Sequence, residues 1–528
     1  MENTLRALRK NQARIIVLVV LVILFVVAVR GMSAKDWIVT TLRGLAVGAV
    51  TFLVASGLSL ILGLMDVLNL AHGTMFMIGA YVGWSVYVRP DTFVDLLTPL
   101  LLLFAGFLLM PLWERLLSRL RLPTTATRIW PWVGLALAVV LFVFTFRGVP
   151  LSIWDPEVYD DSPIVWTQNF DRGLLGTMIQ PAESAGMSPI VGLLGVLLAS
   201  VLLAISLAGF AQRRGGSQEA ARAPMPWRAI GTFLAFVVVA IVLFAVNTPL
   251  TNFLLQIDTT WLFLLAVVIA TLTGAGLGGL MESTLIRPLY ARPIYQLMLT
   301  LGLGFIGTEV VRALWGRSGF TMPRPSIFAG TGEGCPASTL AEWLQNRCST
   351  LAFDIAGETA RIRVYNEIFI LLIGLIVLVV VWLLIQRSRL GMIIRAGVQD
   401  SEMVEALGIN VRRVFTLVFA LGVGLASLGG VLSGPFMGLS DALGANLLLG
   451  ALIALAIGGL TSFPGAAAGA LLVGLLQQFI IKYGQIGINL PFLDKPFKPT
   501  PPLVPASTVL LMVIILLVMP QGLLGRKE

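Results

Sequence analysis

The chain has 528 residues, 57% of them hydrophobic and only 12% charged, with a net charge of +9 and a mean hydropathy of +0.92. Soluble proteins carry about a quarter charged residues, so a water-soluble globular fold is excluded and an all-α polytopic membrane protein is expected. Only six of the 36 basic residues are Lys and the charge is dispersed over loops. That argues against a nucleic-acid surface and makes the basic residues markers of membrane topology.

A spanning helix needs about 20 apolar residues. Along the chain, about 14 transmembrane or half-membrane helices are predicted, at 15–30, 38–64, 73–88, 96–112, 131–147, 189–210, 229–247, 260–281, 296–314, 367–386, 414–434, 446–461, 467–481 and 505–520. The pieces near 73–88 and within 446–481 are short enough to be half-helices or re-entrant segments. The first, behind the basic start MENTLRALRKNQAR, reads as a retained signal-anchor helix, because the flank Arg30-Gly31-Met32-Ser33-Ala34-Lys35 has weak cleavage character. With the N-terminus inside, the cytoplasmic pieces hold 21 Lys/Arg and the outer loops 13, and the outer ones are diluted over two long loops, 148–188 and 315–366. Short loops such as 114–128 and 213–228 carry the bias, so both termini are placed in the cytoplasm. The stretch 211–228 is Gly/Ser/Ala/Pro-rich and reads as a linker. No internal repeat stands out.

Much chemistry is missing. No Gly-Lys dipeptide occurs, so there is no Walker-type phosphate loop. The single histidine, His72, excludes most metal hydrolases, and no metal site is expected. No Gly-x-Ser-x-Gly elbow supports a serine hydrolase. Asp66, Glu282 and Glu309 lie near predicted helix ends, where a proton relay would place carboxylates in mid-span. Cys335 and Cys348 share one polar loop: they would form a disulfide if that loop is extracytoplasmic, and are free thiols otherwise.

Three stretches interrupt or connect the spans. In the first, Asn69-Leu70-Ala71-His72-Gly73 breaks two apolar runs, and a break at membrane depth needs protein or a water path to satisfy its backbone. Gly57, Gly63, Gly73, Gly79 and Gly83 surround it, which means close helix packing or the lining of a path. The second, Arg387 to Arg413, holds short helical pieces ended at Gly408 and reads either as a solvated loop or as a platform for a cytoplasmic motor subunit. The third, Ile457 to Ala466, breaks an apolar stretch of more than 30 residues with Gly459 and Pro464. Paired breaks in the two halves of a chain point to a transport path.

Five blocks in order carry a resemblance. GLSLILGLMDVLNLAHGTMFMIGAY (57–81), MESTLIRPLYARP (281–293), LGMIIRAGVQDSEMVEALGINVRRVFTLVFALG (390–422), IGGLTSFPGAAAGALLVG (457–474) and LLVMPQGLLGRKE (516–528) resemble the branched-chain amino acid permease family of ATP-binding-cassette importers. The resemblance covers about 37–89 and 258–528, and implies four regions. These are an N-terminal helix (1–36), a first core part (37–89), an insert with four predicted spans (90–257), and the remaining core with a coupling loop at 387–413. It implies a multi-pass subunit of the cytoplasmic membrane that is not itself an enzyme and holds no cofactor, ATP and Mg being on partner subunits. Those partners would be a second homologous permease, two ATPases and an extracytoplasmic binding protein. Within that frame, Asn69, His72 and Gly73, with Gly459 and Pro464 opposite, are the expected path or gate. Arg395, Asp400, Glu402, Glu405, Leu407, Gly408 and Ile409 are the expected ATPase contacts, with Met403 adding apolar surface. The rival readings are a urea or amide permease of the same family, and a secondary transporter.

Overall fold

The computed structural model of the protein describes residues 32–119, 123–150, 165, 168–170, 172–174, 186–213, 224–399, 401–488 and 495–525. They form two compact units, Met1–Trp84 with Pro156–Thr167 and Asp258–Glu528, and Ser85–Asp155 with Gln168–Ile257. The N-terminal segment 15–30 lies outside the described residues. Each of the other 13 expected spans contains a helix.

In chain order the helices are α1 (Ala34–Met65), α2 (His72–Val88), α3 (Pro90–Leu108), α4 (Met110–Ser118), α5 (Thr124–Phe146), α6 (Pro189–Arg213), α7 (Trp227–Ala245), α8 (Asn247–Gln256) and α9 (Thr259–Met281). There follow α10 (Pro293–Trp315), α11 (Leu340–Asn346), α12 (Ile370–Arg387), α13 (Arg389–Gln399), α14 (Ser401–Ala406), α15 (Val411–Met437), α16 (Leu443–Gly458), α17 (Phe463–Ile486) and α18 (Leu503–Val518). Ten helical segments among the described residues are long and apolar enough to cross a membrane, while α16 and α18 are shorter apolar helices. The expectation of a half-helix at 467–481 is corrected: α17 has 24 residues. Its first turn looked like loop because it holds Pro464. A proline at the second helical position gives up no hydrogen bond, since the first N–H groups of a helix have no partner within it. Ser462 caps that turn by accepting from the Gly465 N–H at 3.2 Å.

The larger unit is built on glycine-mediated contact. A Cβ on Gly44 or Gly48 of α1 would lie 2.8–2.9 Å from Leu475 or Leu471 of α17, and one on Gly474 would lie 2.4 Å from Gly44 and Gly48 backbone atoms. In α2, Gly79 faces Ser427 and Gly83 faces Val431 of α15, while a Cβ on Gly430 of α15 would lie 2.0 Å from the Phe76 carbonyl oxygen. Gly274 and Gly278 of α9 face Ser427 and Val423. Apolar side chains gain little from meeting each other when the surrounding solvent is hydrocarbon, so association rests on close backbone approach. Two arginines inside spans have ion-pair partners from elsewhere in the chain: Arg43 with the buried Glu367 at 2.7 Å, and Arg312 with Asp441 at 2.8 Å, the pairing that membrane-embedded charges favour.

The second unit packs α6 against α3, α4 and α5, and α7 against α3. Gly106 meets Ser200, whose hydroxyl donates to the Leu102 carbonyl at 3.0 Å. At the start of α3, Arg89 forms a bidentate pair with Asp91, both about 1% exposed, and Asn247 donates to Asp95 at 2.7 Å.

The loop after α10 folds into a small lobe. Cys335 and Cys348 are joined in a disulfide, and strands β1 (Thr350–Ile355) and β2 (Glu358–Arg363) form an antiparallel hairpin. Ala356 and Gly357 turn it with φ of 51° and 85°, the left-handed pair that a two-residue hairpin needs. Asp258, which caps α9, anchors the lobe by accepting from Ser326 at 2.7 Å and Arg347 at 3.0 Å, besides the Thr260 N–H at 2.8 Å. Burial alone would raise the Asp258 pKa, but these hydrogen bonds outweigh it and hold it at about 2.

Two outcomes follow from this packing. Gly430→Val should lower the thermal midpoint in detergent, at a cost of roughly 1–3 kcal/mol from overpacking, while Gly276→Ala, which meets nothing within 4 Å, should leave it unchanged. The Asp258 anchor has a folded pKa below its unfolded value of about 3.9. Its contribution is therefore complete above about pH 5 and lost as pH falls toward 2. Hydrogen exchange at the Thr260 and Ser326 amides should lose protection over that window, and Asp258→Asn should remove the pH dependence.

Candidate functional site

The break after α1 is a closed backbone arrangement. Asp66 ends α1 with a left-handed backbone (φ 53°), its N–H donating to the Leu62 carbonyl at 3.0 Å. Three of the N–H groups in the turn that follows have partners: Leu70 donates to Thr300 Oγ1 at 3.2 Å, Ala71 to Asn69 Oδ1 at 3.1 Å, and His72 to the Asn69 carbonyl at 3.3 Å. Asn69 thus makes the Asx turn that starts α2. His72 Nε2 lies 3.2 Å from the Val54 carbonyl; a carbonyl only accepts, so Nε2 carries the proton. The ring also sits against Gly57, where a Cβ would be 2.8 Å from Nε2. Asn69 and His72 are fully buried, and Gly73 abuts Gly444 at the start of α16. All five glycines around the break take tight or close contacts, so packing explains them.

The second break, 459–462, joins α16 to α17. Gly459 adopts φ 111°. The last carbonyls of α16 find partners far along the chain: Leu523 N–H donates to Ile457 at 2.8 Å and Leu524 N–H to Gly458 at 2.9 Å. Gly459 therefore faces the C-terminal turn, not His72, while Pro464 is exposed on the first turn of α17. The two breaks still lie at the same end of α1, because a Cβ on Gly63 in its last turns would be 3.3 Å from the Thr461 carbonyl.

Between α12 and α15 the chain forms the short helices α13 and α14. Arg395 turns its guanidinium back onto the end of α12, donating to the Ile385 carbonyl at 2.8 Å and Gln386 Oε1 at 2.9 Å. It caps a helix C-terminus, a favourable place for a cation. Gly408 ends α14 with φ 81°, and the Ile409 N–H reaches back to the Val404 carbonyl at 3.3 Å, the pattern of a glycine-terminated helix. Val404 and Ile394 are buried. Met392, Met403 and Leu407 are 61%, 65% and 74% exposed in a charged segment, and Glu405 is exposed with them while Ile409 is half-buried. Asp400 and the Glu402 side chain lie outside the described residues.

The sequence reading missed a cluster that joins this segment to the core. Glu282, fully buried in a π-helical turn after α9, accepts from Arg287 Nε at 3.0 Å, Arg287 Nη2 at 2.7 Å, Tyr290 Oη at 2.6 Å and Thr416 Oγ1 at 2.7 Å. Thr416 is on the first turns of α15, just past the α13–α14 segment. Glu282 and Arg287 share one sequence block, but nothing in the chain marks Thr416 as their partner. Burial and hydrogen bonding to Glu282 push the Tyr290 hydroxyl well above its ordinary range, so it stays a donor.

Among the described residues, ten helical segments long and apolar enough to cross a membrane make this a multi-pass membrane protein. The profile of the "branched-chain amino acid transport system / permease component" family matches residues 40–225 and 228–519, and the chain belongs to that family. It is 26% identical over 302 residues to the high-affinity branched-chain amino acid transport system permease protein LivH of Salmonella typhimurium, covering 57% of this chain and 83% of that one. It is 34% identical over 166 residues to BraD of Pseudomonas aeruginosa, a permease protein of the same description, covering 31% and 49%. It is also 28% identical over 120 residues to the fructose import permease protein FruF of Bifidobacterium longum, covering 21% and 34%. No solved structure matches it.

Arg287→Ala should destabilise the protein by about 3 kcal/mol, because removing one partner leaves a buried carboxylate uncompensated. The double variant Glu282→Gln/Arg287→Met should recover most of that loss. Thermal unfolding of the three proteins in one detergent checks both.

Proposed function

We propose that this chain is the membrane permease of an ATP-driven importer of branched-chain amino acids. Both termini are cytoplasmic, and the chain pairs with a second homologous permease, two ATPases and an extracytoplasmic binding protein. Residues 90–257 are an insert in the permease core sequence.

The observation that carries the coupling role is the α13–α14 segment. Three large apolar side chains are exposed there among charges, and exposed apolar surface rimmed by polar residues is the signature of a docking site. Each exposed ion pair to a partner is worth about 0.2–1 kcal/mol, so docking rests on Met403, Leu407 and Ile409, with Glu405 setting orientation. Arg395 fixes the segment to α12, and Glu282 ties the base of α15 to the end of α9. A push on the segment therefore moves α12 and α15 as rigid bodies, the kind of motion that opens a permease alternately to each side.

The breaks serve as an inner hinge rather than a lining. Asn69, His72 and Gly73 hold the α1–α2 turn, and Gly459 and Pro464 shape the α16–α17 turn at the same end of α1. Specificity then belongs to the binding protein, with the permease passing a zwitterion whose charges cancel. The likeness to a fructose permease suits a family in which the solute is chosen upstream.

The test is uptake by the assembled transporter in proteoliposomes, with leucine, isoleucine, valine and urea as solutes. Amino-acid uptake is expected, and uptake of urea alone would sink the substrate assignment. Gly408→Pro should abolish uptake and substrate-stimulated ATPase activity, because proline is fixed at φ of about −65° and cannot adopt a positive value. Leu407→Asp should do the same while membrane insertion stays normal. Full coupling in both variants would remove this segment from the mechanism.

A further inference from the structure

The turn that ends α1 borders a cavity of about 220 Å³, bounded by Met65, Asp66, Val67, Tyr290, Gln296 and Phe415. It has the volume of about seven water molecules at roughly 30 Å³ each, below the roughly 300–1,000 Å³ of pockets for drug-sized ligands. It therefore suits one small solute. Its position is informative: it lies between the first break, the Glu282 cluster through Tyr290, and the base of α15 through Phe415.

The chemistry of the lining is one-sided. Gln296 spends its amide N–H on the Leu289 carbonyl at 2.9 Å, and Tyr290 spends its hydroxyl on Glu282. Beside the second Gln296 N–H, the side-chain groups that remain are acceptors, the Asp66 carboxylate and the Gln296 amide oxygen. Among the described residues, no Lys, Arg or His lines the cavity. Asp66 is exposed and has no ion-pair partner among the described residues. It is also one of three non-glycine residues there with positive φ, a backbone state uncommon enough to prompt a search for function. Met65, Val67 and Phe415 supply apolar walls.

We propose that this cavity is a substrate exit subsite, in which Asp66 and the Gln296 amide oxygen hold the ammonium group of an aliphatic amino acid. Met65, Val67 and Phe415 cover its side chain. The proposal rests on the transport reading above and names a contact for the same solute. With no cation in the lining, the substrate carboxylate turns to the open mouth, where water solvates it. One partly solvated carboxylate holds an ammonium weakly, which suits a release step. Because Phe415 is next to Thr416, movement of the α15 base would reshape this wall.

The test uses the assembled transporter in inside-out vesicles with Phe415→Cys as reporter; the two native cysteines are already bonded to each other. A membrane-impermeant maleimide is applied from the cytoplasmic face. Leucine should slow labelling about tenfold, and isocaproate, the same branched chain without the ammonium, should not, the scale being that of a hydrogen bond to a charged group. Asp66→Asn should remove the protection and Asp66→Glu should keep it. Separately, Asp66→Asn in the otherwise native chain should lower maximal uptake roughly tenfold at unchanged KM. Equal protection by leucine and isocaproate, protection that survives Asp66→Asn, absence of protection or absence of labelling would each overturn the subsite. If the native transporter takes up no amino acid at all, the transport reading falls instead.

Discussion

Backbone polar groups at membrane depth have no water to fall back on, and each one left unsatisfied costs several kcal/mol. The two breaks in this protein exist because specific groups meet that demand. At the first break, Thr300 from α10 and Asn69 from the turn itself accept from the Leu70 and Ala71 N–H groups. At the second, the N–H groups of Leu523 and Leu524 satisfy the end of α16 from the far end of the chain.

The same constraint bears on His72. Its ring donates to the Val54 carbonyl and fills the space left by Gly57, and its burial keeps solvent out of the turn. Close approach of α1, α2, α9, α15 and α17 then depends on glycines whose Cβ positions are occupied by neighbouring backbone or side chains. A core assembled this way is rigid inside each group of helices.

Charge has a similar economy. Arg43, Arg312 and Glu282 lie in or beside spanning helices, and each has a partner from another part of the chain. The Glu282 cluster is the most consequential, since it fastens the end of α9 to the base of α15 next to the exposed α13–α14 segment. Contacts therefore run from the exposed α13–α14 segment through the Glu282 cluster and Tyr290 to Met65 at the end of α1.

The sequence by itself determined the class of protein, the existence of all the described spans and the position of both breaks. Hydropathy and helix-breaking residues are local signals, read over about 20 residues. The family blocks were legible for the same reason, being contiguous. Helix ends were less so: Pro464 was taken for loop where it opens a helix, because its compatibility with a first turn depends on Ser462 capping it. Only the tertiary structure decided which residues meet. It turned Arg395 back onto α12, set Gly459 against the C-terminal turn instead of His72, and brought Thr416 to Glu282 across 134 positions of chain. Such pairings depend on how helices are arranged in space, and no local pattern in the sequence encodes that arrangement.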